Sequence, residues 1–373
     1  MIYFDSAATS LQKPHAVSEA TFLAIRTMAS PGRGGHAPSM HAAETVFNCR
    51  SAVDSFFNTG NPERVVFTFN ATHALNIAIS SLISRGDAVV ISGYEHNAVL
   101  RPLTALGASI RVAESPLFNP EAALEAFRRE LPGAACAVCT HVSNVFGYIL
   151  PIAEIAALCT SFGVPLIIDA SQSAGVLPLD FTALGAEFIA APGHKGLLGP
   201  QGTGILLCRS TGKPILFGGT GGASLSAQMP DFLPDRHEAG THNVAGIAGL
   251  EQGIAFLRNL PENAVASHEK NLARIFAEAV SDLSNTHTFL SDNPALQTGV
   301  VSVISKELPC EEIAERLAIK GVCVRAGLHC APLAHKSAGT LETGTVRFSF
   351  SPYNSEREIV KSAQILKKIL RDA

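Results

Sequence analysis

The sequence predicts an α/β fold: a mostly parallel, mixed sheet in a large domain, followed by a smaller C-terminal α/β domain. Three observations lead there. Between residues 65 and 208, short apolar runs alternate with helix-length segments, the rhythm of repeated strand–helix units joined by right-handed crossovers. Several of these runs lack the in–out alternation of a half-exposed strand, as expected when both faces of a sheet are covered. After Cys208 the rhythm breaks at a glycine-rich stretch and resumes in a different order.

Taken in order, residues 14–28 place their apolar side chains on one helical face, with Pro14 suited to a first turn. The segment SPGRGGHAPS interrupts them as a loop. A helix over 39–57 is predicted by Val46, Cys49, Val53 and Phe57, spaced at three- and four-residue steps. Strands are predicted at 65–69, 88–91, 109–112, 136–140, 165–170, 187–191 and 204–208. Helices are predicted between them at 72–84, 97–106, 120–131 and 151–162. GGTGGASLS at 218–226 reads as a flexible segment, and helices follow over 244–257 and 263–283. From about 296 the order is strand, helix, strand, loop, strand, helix. The expected division is an N-terminal arm (1–15) contributing to the small domain, a large domain (16–259) and a small domain (260–373).

The chain has 373 residues, 47% of them hydrophobic and 16% charged, a composition for a packed core. Its 28 basic and 32 acidic residues form no basic stretch suited to nucleic acid. No apolar run approaches the length of a bilayer span, and MIYFDSAATS does not read as a signal peptide. A cytoplasmic location is the expectation. Most of the eight cysteines sit in apolar runs and are expected to be small buried hydrophobes. Cys136 and Cys139 share one predicted strand and point to opposite faces, which argues against a metal or redox pair. No H-E-x-x-H and no Walker lysine are present, so no metal or nucleotide-triphosphate site is expected.

Ligands of parallel sheets sit beyond the C-terminal strand ends, so those residues are the informative ones. Phe69 is followed by Asn70, Ala71 and Thr72 at a helix start, where free N–H groups suit a phosphate but where Asn70 or Thr72 equally serves as a cap. Asp169 ends an apolar strand; it either caps the next turn or keeps a pyridine nitrogen protonated, the help a protein gives to pyridoxal phosphate (PLP). Gln172 is near enough to reach a ring oxygen. His194 and Lys195 follow another apolar strand in a glycine-rich turn. A lysine amine there, partly desolvated, can form a Schiff base; the other reading is an ordinary turn pair. His96 follows the strand at 88–91 and either caps a helix or stacks on a flat cofactor and moves protons. Asn144 follows the strand at 136–140, where it could contact the cofactor's ring oxygen or the substrate. In the small domain, Arg325, His329 and Cys330 share a glycine-broken loop, with Cys330 expected to be exposed and its thiolate helped by a nearby cation. Arg347 lies in a strand of Val and Phe, where it needs an anion: a substrate carboxylate or a structural ion pair.

The stretches YFDSAATS, RGGH, NATHALN, GYEHNA, HVSNVFG, IIDASQ, GHKGLLGPQGTG, HEAGTHN, RAGLHCAP and VRFSFSPYNSEREI occur in this order across nearly the whole chain. With them the chain resembles class V aminotransferase-fold enzymes, and within these the cysteine desulfurases related to selenocysteine lyases. The resemblance implies a fold-type I PLP enzyme that works as a homodimer with the cofactor near the dimer interface. It implies that Lys195 bonds the cofactor, Asp169 pairs with the pyridine nitrogen, His96 stacks on the ring and Gln172 approaches its hydroxyl oxygen. Ala71, Thr72 and His194 would hold the phosphate, and Thr241 would reach the phosphate in the other subunit. Asn144, Arg325 and Arg347 would orient the amino acid, Arg347 on its carboxylate. Cys330 would take sulfur from L-cysteine, or selenium from L-selenocysteine, leaving L-alanine, and pass it to an acceptor protein or thiol.

Three positions depart from the pattern. Pro192 stands where many relatives have Ser, and proline has neither hydroxyl nor N–H to offer a phosphate. Leu328 stands where a second histidine is common, and the G-T-P-N pattern reads Gly240-Thr241-His242-Asn243. Rival readings are a selenocysteine lyase, an aminotransferase or lyase for another small amino acid, and a non-catalytic partner-binding scaffold.

Overall fold

The structure, a computed structural model, describes residues 1–32, 34–222 and 224–372. Arg33 of the RGGH stretch and Ala223 of the 218–226 segment lie outside the described residues. The chain opens with β1 (Ile2–Tyr3), α1 (His15–Thr27) and α2 (Ala37–Phe57). The strands of the large sheet follow: β2 (Val65–Thr68), β3 (Ala88–Ser92), β4 (Ser109–Ala113), β5 (Cys136–Thr140), β6 (Leu166–Asp169), β7 (Phe188–Pro192) and β8 (Gly204–Cys208). Between them run α3 (Ala71–Leu82), α4 (Asn97–Leu106), α5 (Pro120–Glu130), α6 (Ile152–Ser161) and the single turn α7 (Phe181–Leu184). After α8 (Val244–Arg258) and α9 (Ala264–Val280) come β9 (Thr286–Phe289), β10 (Val300–Ser305), α10 (Cys310–Ile319), β11 (Val322–Cys323) and β12 (Arg325–Gly327). The last elements are α11 (Pro332–Ser337), β13 (Thr345–Ser349) and α12 (Glu356–Arg371).

The large sheet has the order β2-β8-β7-β6-β5-β3-β4. Its pairs β3–β4, β3–β5, β5–β6 and β6–β7 are parallel, while β8 runs antiparallel to both neighbours. Only residues 193–203 separate β7 from β8, too few for the helical crossover a parallel pair needs. Successive residues serve opposite faces. Ala137, Cys139, Ile168 and Ile189 join one apolar core, and Cys136, Val138, Ile167 and Ala190 join another. Cys136 and Cys139 are therefore separated by the sheet, and both are buried.

The smaller C-terminal domain is built on the antiparallel sheet β12-β13-β10-β9 with its own core. The N-terminal arm belongs to it: β1 pairs with β11, and the buried Phe4 ring meets Phe350 edge-on at 5.0 Å. The final helix α12 starts at a capping box, with Ser355 and Glu358 each receiving the other's backbone N–H.

Three elements differ from expectation. The helix read over 263–283 ends at Val280, and the short edge strand β9, with only Phe289 buried, follows it. The expected loop after β12 contains α11, one and a half turns started by Pro332.

Candidate active site

One cleft beyond the strand ends is bounded by Ala71, Thr72, His96, Asn144, Asp169, Gln172, His194 and Lys195. Five segments separated by up to 124 residues thus converge, because a parallel sheet delivers its carboxyl ends to one edge. Pro192 also lines the cleft, contributing neither hydroxyl nor N–H.

Lys195 follows β7 in the tight turn to β8. Gly193 admits no side chain there, since a Cβ would lie 2.1 Å from the Thr203 hydroxyl. Burial pushes the Lys195 amine down to about 8; Asp169 opposes this and Arg347 adds to it. Asp169 is 2% exposed and accepts from the Ser171 N–H at 2.9 Å. No ion pair ties Asp169 to Lys195 among the described residues, so the carboxylate has room for another cationic partner. His96 is the N-cap of α4: its Nδ1 accepts from the Ala98 N–H at 3.0 Å. The cap fixes the ring and leaves the hydrogen of the neutral ring on Nε2. Burial holds His96 below its ordinary range against the pull of Asp169.

At the start of α3, Asn70 rather than Thr72 is the cap, accepting from the His73 N–H at 2.9 Å. The exposed Thr72 hydroxyl and the first free N–H groups of the helix therefore face the cleft. His194 is held by the N-terminal arm: its Nδ1 lies 3.0 Å from the Thr9 hydroxyl, and its carbonyl accepts from the Ser10 N–H at 3.1 Å. Burial, then Lys195 and Lys13, push His194 down to about 4, so it is a neutral hydrogen bonder. The Gln172 amide donates to the Ala7 carbonyl at 3.0 Å.

Asp5 and Glu95 carry weight that the residue-by-residue reading missed. Asp5 accepts from Arg325 Nη2 at 2.8 Å and from Arg347 Nη2 at 2.8 Å. Arg347 is thus in a structural ion pair, the other of the two readings of its strand position, and its Nη1 donates to the Asn144 carbonyl at 3.0 Å. Its Nε is buried with no hydrogen-bond partner among the described residues, a donor open to an anion. Two guanidinium groups on one carboxylate leave a net positive charge at this corner. Glu95, fully buried beside His96, accepts from the Ser92 hydroxyl at 2.5 Å and the Thr140 N–H at 2.7 Å. Burial pushes it up to about 8. The neighbouring E-H pair was the only signal for Glu95; Asp5 had none, because its partners lie 320 and 342 residues away.

Cys330 is exposed and does not line the cleft, but its loop is fastened to the cleft wall. The Asn97 N–H donates to the Cys330 carbonyl at 2.7 Å, and the Asn144 amide to the His329 carbonyl at 2.8 Å. His329 and Cys330 both have left-handed backbones, with φ of 51° and 55°. Arg325 is raised above its ordinary value mainly by its bonds to Asp5, with a smaller contribution from Cys330, which puts a cation within electrostatic reach of the thiol. Thr241 is exposed in the segment before α8 and lies outside its own chain's cleft. That segment is anchored by Glu238, bidentate to Arg50 at 2.9 Å and accepting from the Phe67 N–H at 2.7 Å.

A buried amine, an acid with a free side, an open helix N-terminus and a capped imidazole around one cleft fit PLP. Sequence comparison agrees with this class of site. The aminotransferase class-V family model matches residues 2–361. A probable cysteine desulfurase of Methanothermobacter thermautotrophicus is 31% identical, covering 99% of this chain and 94% of its own. A cysteine desulfurase of Klebsiella pneumoniae is 32% identical, covering 99% and 94%. Among solved structures, apo cysteine desulfurase from Thermococcus onnurineus superposes with a TM-score of 0.90 at 31% identity, covering 100% of this chain and 95% of that one. The cysteine desulfurase CsdA of Escherichia coli gives 0.86 at 26% identity, covering 99% and 94%. The chain belongs to the class-V aminotransferase family and, within it, to the cysteine desulfurase family.

Proposed function

We propose that the protein is a PLP-dependent cysteine desulfurase that moves sulfur from L-cysteine to Cys330 and releases L-alanine. The observation that carries this reading is the pairing of a buried, pKa-lowered Lys195 in the cleft with an exposed Cys330 fastened to the cleft wall.

When bound, PLP supplies an aldehyde for the substrate amine and a ring that withdraws electrons from the substrate Cα. Asp169 keeps the proton on the pyridine nitrogen. Ala71, Thr72 and the α3 N-terminus, with neutral His194, hold the phosphate, and Thr241 reaches across to the other subunit's phosphate. His96 would cover the ring face and Gln172 would approach its hydroxyl oxygen. Arg347, through its free Nε, and Arg325 attract the substrate carboxylate while Asn144 fixes its orientation. With a pKa of about 8, the Lys195 amine is partly neutral near pH 7 and can take the Cα proton, then return a proton to the substrate. Cys330 thiolate attacks the substrate sulfur: the Cβ–S bond breaks, an S–S bond forms on Cys330, and Cβ gains a proton as alanine is completed. The persulfide then passes to an acceptor thiol. A homodimer is supported by the exposed apolar side chains of α1 and α2, including Phe22, Ile25 and Phe47 at 61%, 70% and 61% exposure.

The deciding experiment incubates the PLP-loaded protein with L-cysteine and, separately, L-selenocysteine, and quantifies alanine and Cys330 persulfide. Alanine in step with persulfide supports the reading. Alanine from selenocysteine alone would make it a selenocysteine lyase, and no alanine from either would refute desulfuration.

A further inference from the structure

Behind Cys330 lies a pair of histidines that the proposed sulfur transfer does not use. His329 and His335 stack with ring centroids 5.7 Å apart and planes 9° from parallel. His335 is fully buried and His329 nearly so. With both rings neutral, the bond directions follow from the Arg325 end, while the Thr340 carbonyl also competes for the His335 ring. The Arg325 carbonyl can only accept, so His329 Nε2, 3.3 Å away, carries the hydrogen. Burial pushes His329 down to about 3 and His335 to about 4, so both rings are neutral. His329 Nδ1 is then an acceptor, and His335 Nε2 donates to it across 3.5 Å. That leaves His335 Nδ1 as an acceptor for the Thr340 hydroxyl at 2.7 Å. The result is a one-way run of hydrogen bonds: Thr340 to His335, His335 to His329, His329 to the Arg325 carbonyl.

This run ends on the residue whose backbone needs support. His329 and Cys330 are consecutive non-glycine residues in the left-handed region, a conformation that persists only where the surroundings over-determine it. The Asn144 bond holds the His329 carbonyl, and the Asn97 bond holds that of Cys330. The histidine run holds the remaining handle, the His329 side chain. Thr340 and His335 are themselves fixed, since the Thr340 N–H donates to the His335 carbonyl at 2.9 Å.

We propose that His335 and Thr340 are positioning residues for Cys330, acting through His329 to set the direction of the thiol. The inference rests on Cys330 being the sulfur acceptor. A ring turned to its other tautomer would lose the Arg325 carbonyl and free the 329–330 backbone; that carbonyl sets the polarity of the run, and the Thr340 hydroxyl, able to donate, completes it at the far end.

The test compares Thr340→Val, Thr340→Ser and His335→Phe in the PLP-loaded enzyme. It reads kcat and KM for L-cysteine, the rate at which iodoacetamide alkylates Cys330 without substrate, and cofactor absorbance. Thr340→Val and His335→Phe are expected to lower kcat about tenfold or more, since small misplacements of a reacting group are costly. KM and absorbance should stay unchanged, the alkylation rate should change, and Thr340→Ser should behave as wild type. If His335→Phe fails to fold, the Thr340 pair decides alone. Wild-type kcat and alkylation rate in Thr340→Val, failure of Thr340→Ser to restore them, or loss of cofactor in parallel would each overturn the proposal. If the wild-type enzyme gives no persulfide from cysteine, the functional reading fails instead, and alkylation still reports on positioning.

Discussion

At the scale of single residues, the site depends on burial tuning its titratable groups. Lys195→Ala should bind PLP without the visible absorbance of the lysine linkage and lose at least about 100-fold in alanine formation, because no other amine is placed to move the Cα proton. Persistence of the absorbance would remove Lys195 from its role. Cys330→Ala should keep the absorbance and lose persulfide; full turnover of cysteine in this variant would rule the thiol out. Glu95 and Glu269 are both buried and both pushed up to about 8 by burial. The unfolded chain releases these protons in the ordinary carboxylate range, whereas the folded chain keeps them to about pH 8. Stability should therefore fall as pH rises across that window. Glu95→Gln and Glu269→Gln should each flatten the slope in urea unfolding measured between pH 5 and 8; an unchanged slope would mean that these acids ionise normally.

At the scale of elements, legibility followed the reach of the physical signal. Strands β2, β3 and β5 to β8 were readable because each is a largely buried apolar run, and the half-covered β4 was readable from its alternation; the strand-end rule then pointed to the eight residues around the cleft. The antiparallel course of β8 becomes readable only when the short β7–β8 connection is weighed against the length of a crossover. The edge strand β9 was missed because it is polar and mostly uncovered, and α11 because six residues carry too little period. No local pattern could show that Arg347 and Arg325 meet on Asp5. The Arg50–Glu238 pair is the same kind of long-range contact, with side chains 8% and 11% exposed. Glu238→Ala should cost about 3 kcal/mol in urea unfolding, since it strands a buried guanidinium. A loss below 1 kcal/mol would show that water reaches Arg50 freely. Ser355→Ala, removing the cap of α12, should cost about 1 kcal/mol by the same assay.

At the scale of the whole molecule, the arm that starts the chain links the four-stranded sheet to the turn after β7 of the seven-stranded sheet, and the cleft opens at the strand ends of the latter. The exposed apolar side chains of α1 and α2 are the clearest surface for a second copy. For the dimer proposed above, Ile25→Asp together with Phe47→Asp should shift sedimentation toward monomer and reduce PLP retention, because Thr241 would lose the neighbour it is proposed to reach. A double variant that stays dimeric would place the interface elsewhere.

The pairing of β1 with β11, and of Asp5 with Arg325 and Arg347, has a consequence for biosynthesis. A nascent chain exposes Asp5 long before the ribosome has made β13, so the acid waits without its cations through nearly the whole of translation. The arm's bonds to His194 and Gln172 can form once residue 195 has emerged, whereas Asp5 gains both its arginines only when β13 follows. A truncated product that stops short of β13 would leave Asp5 without Arg347.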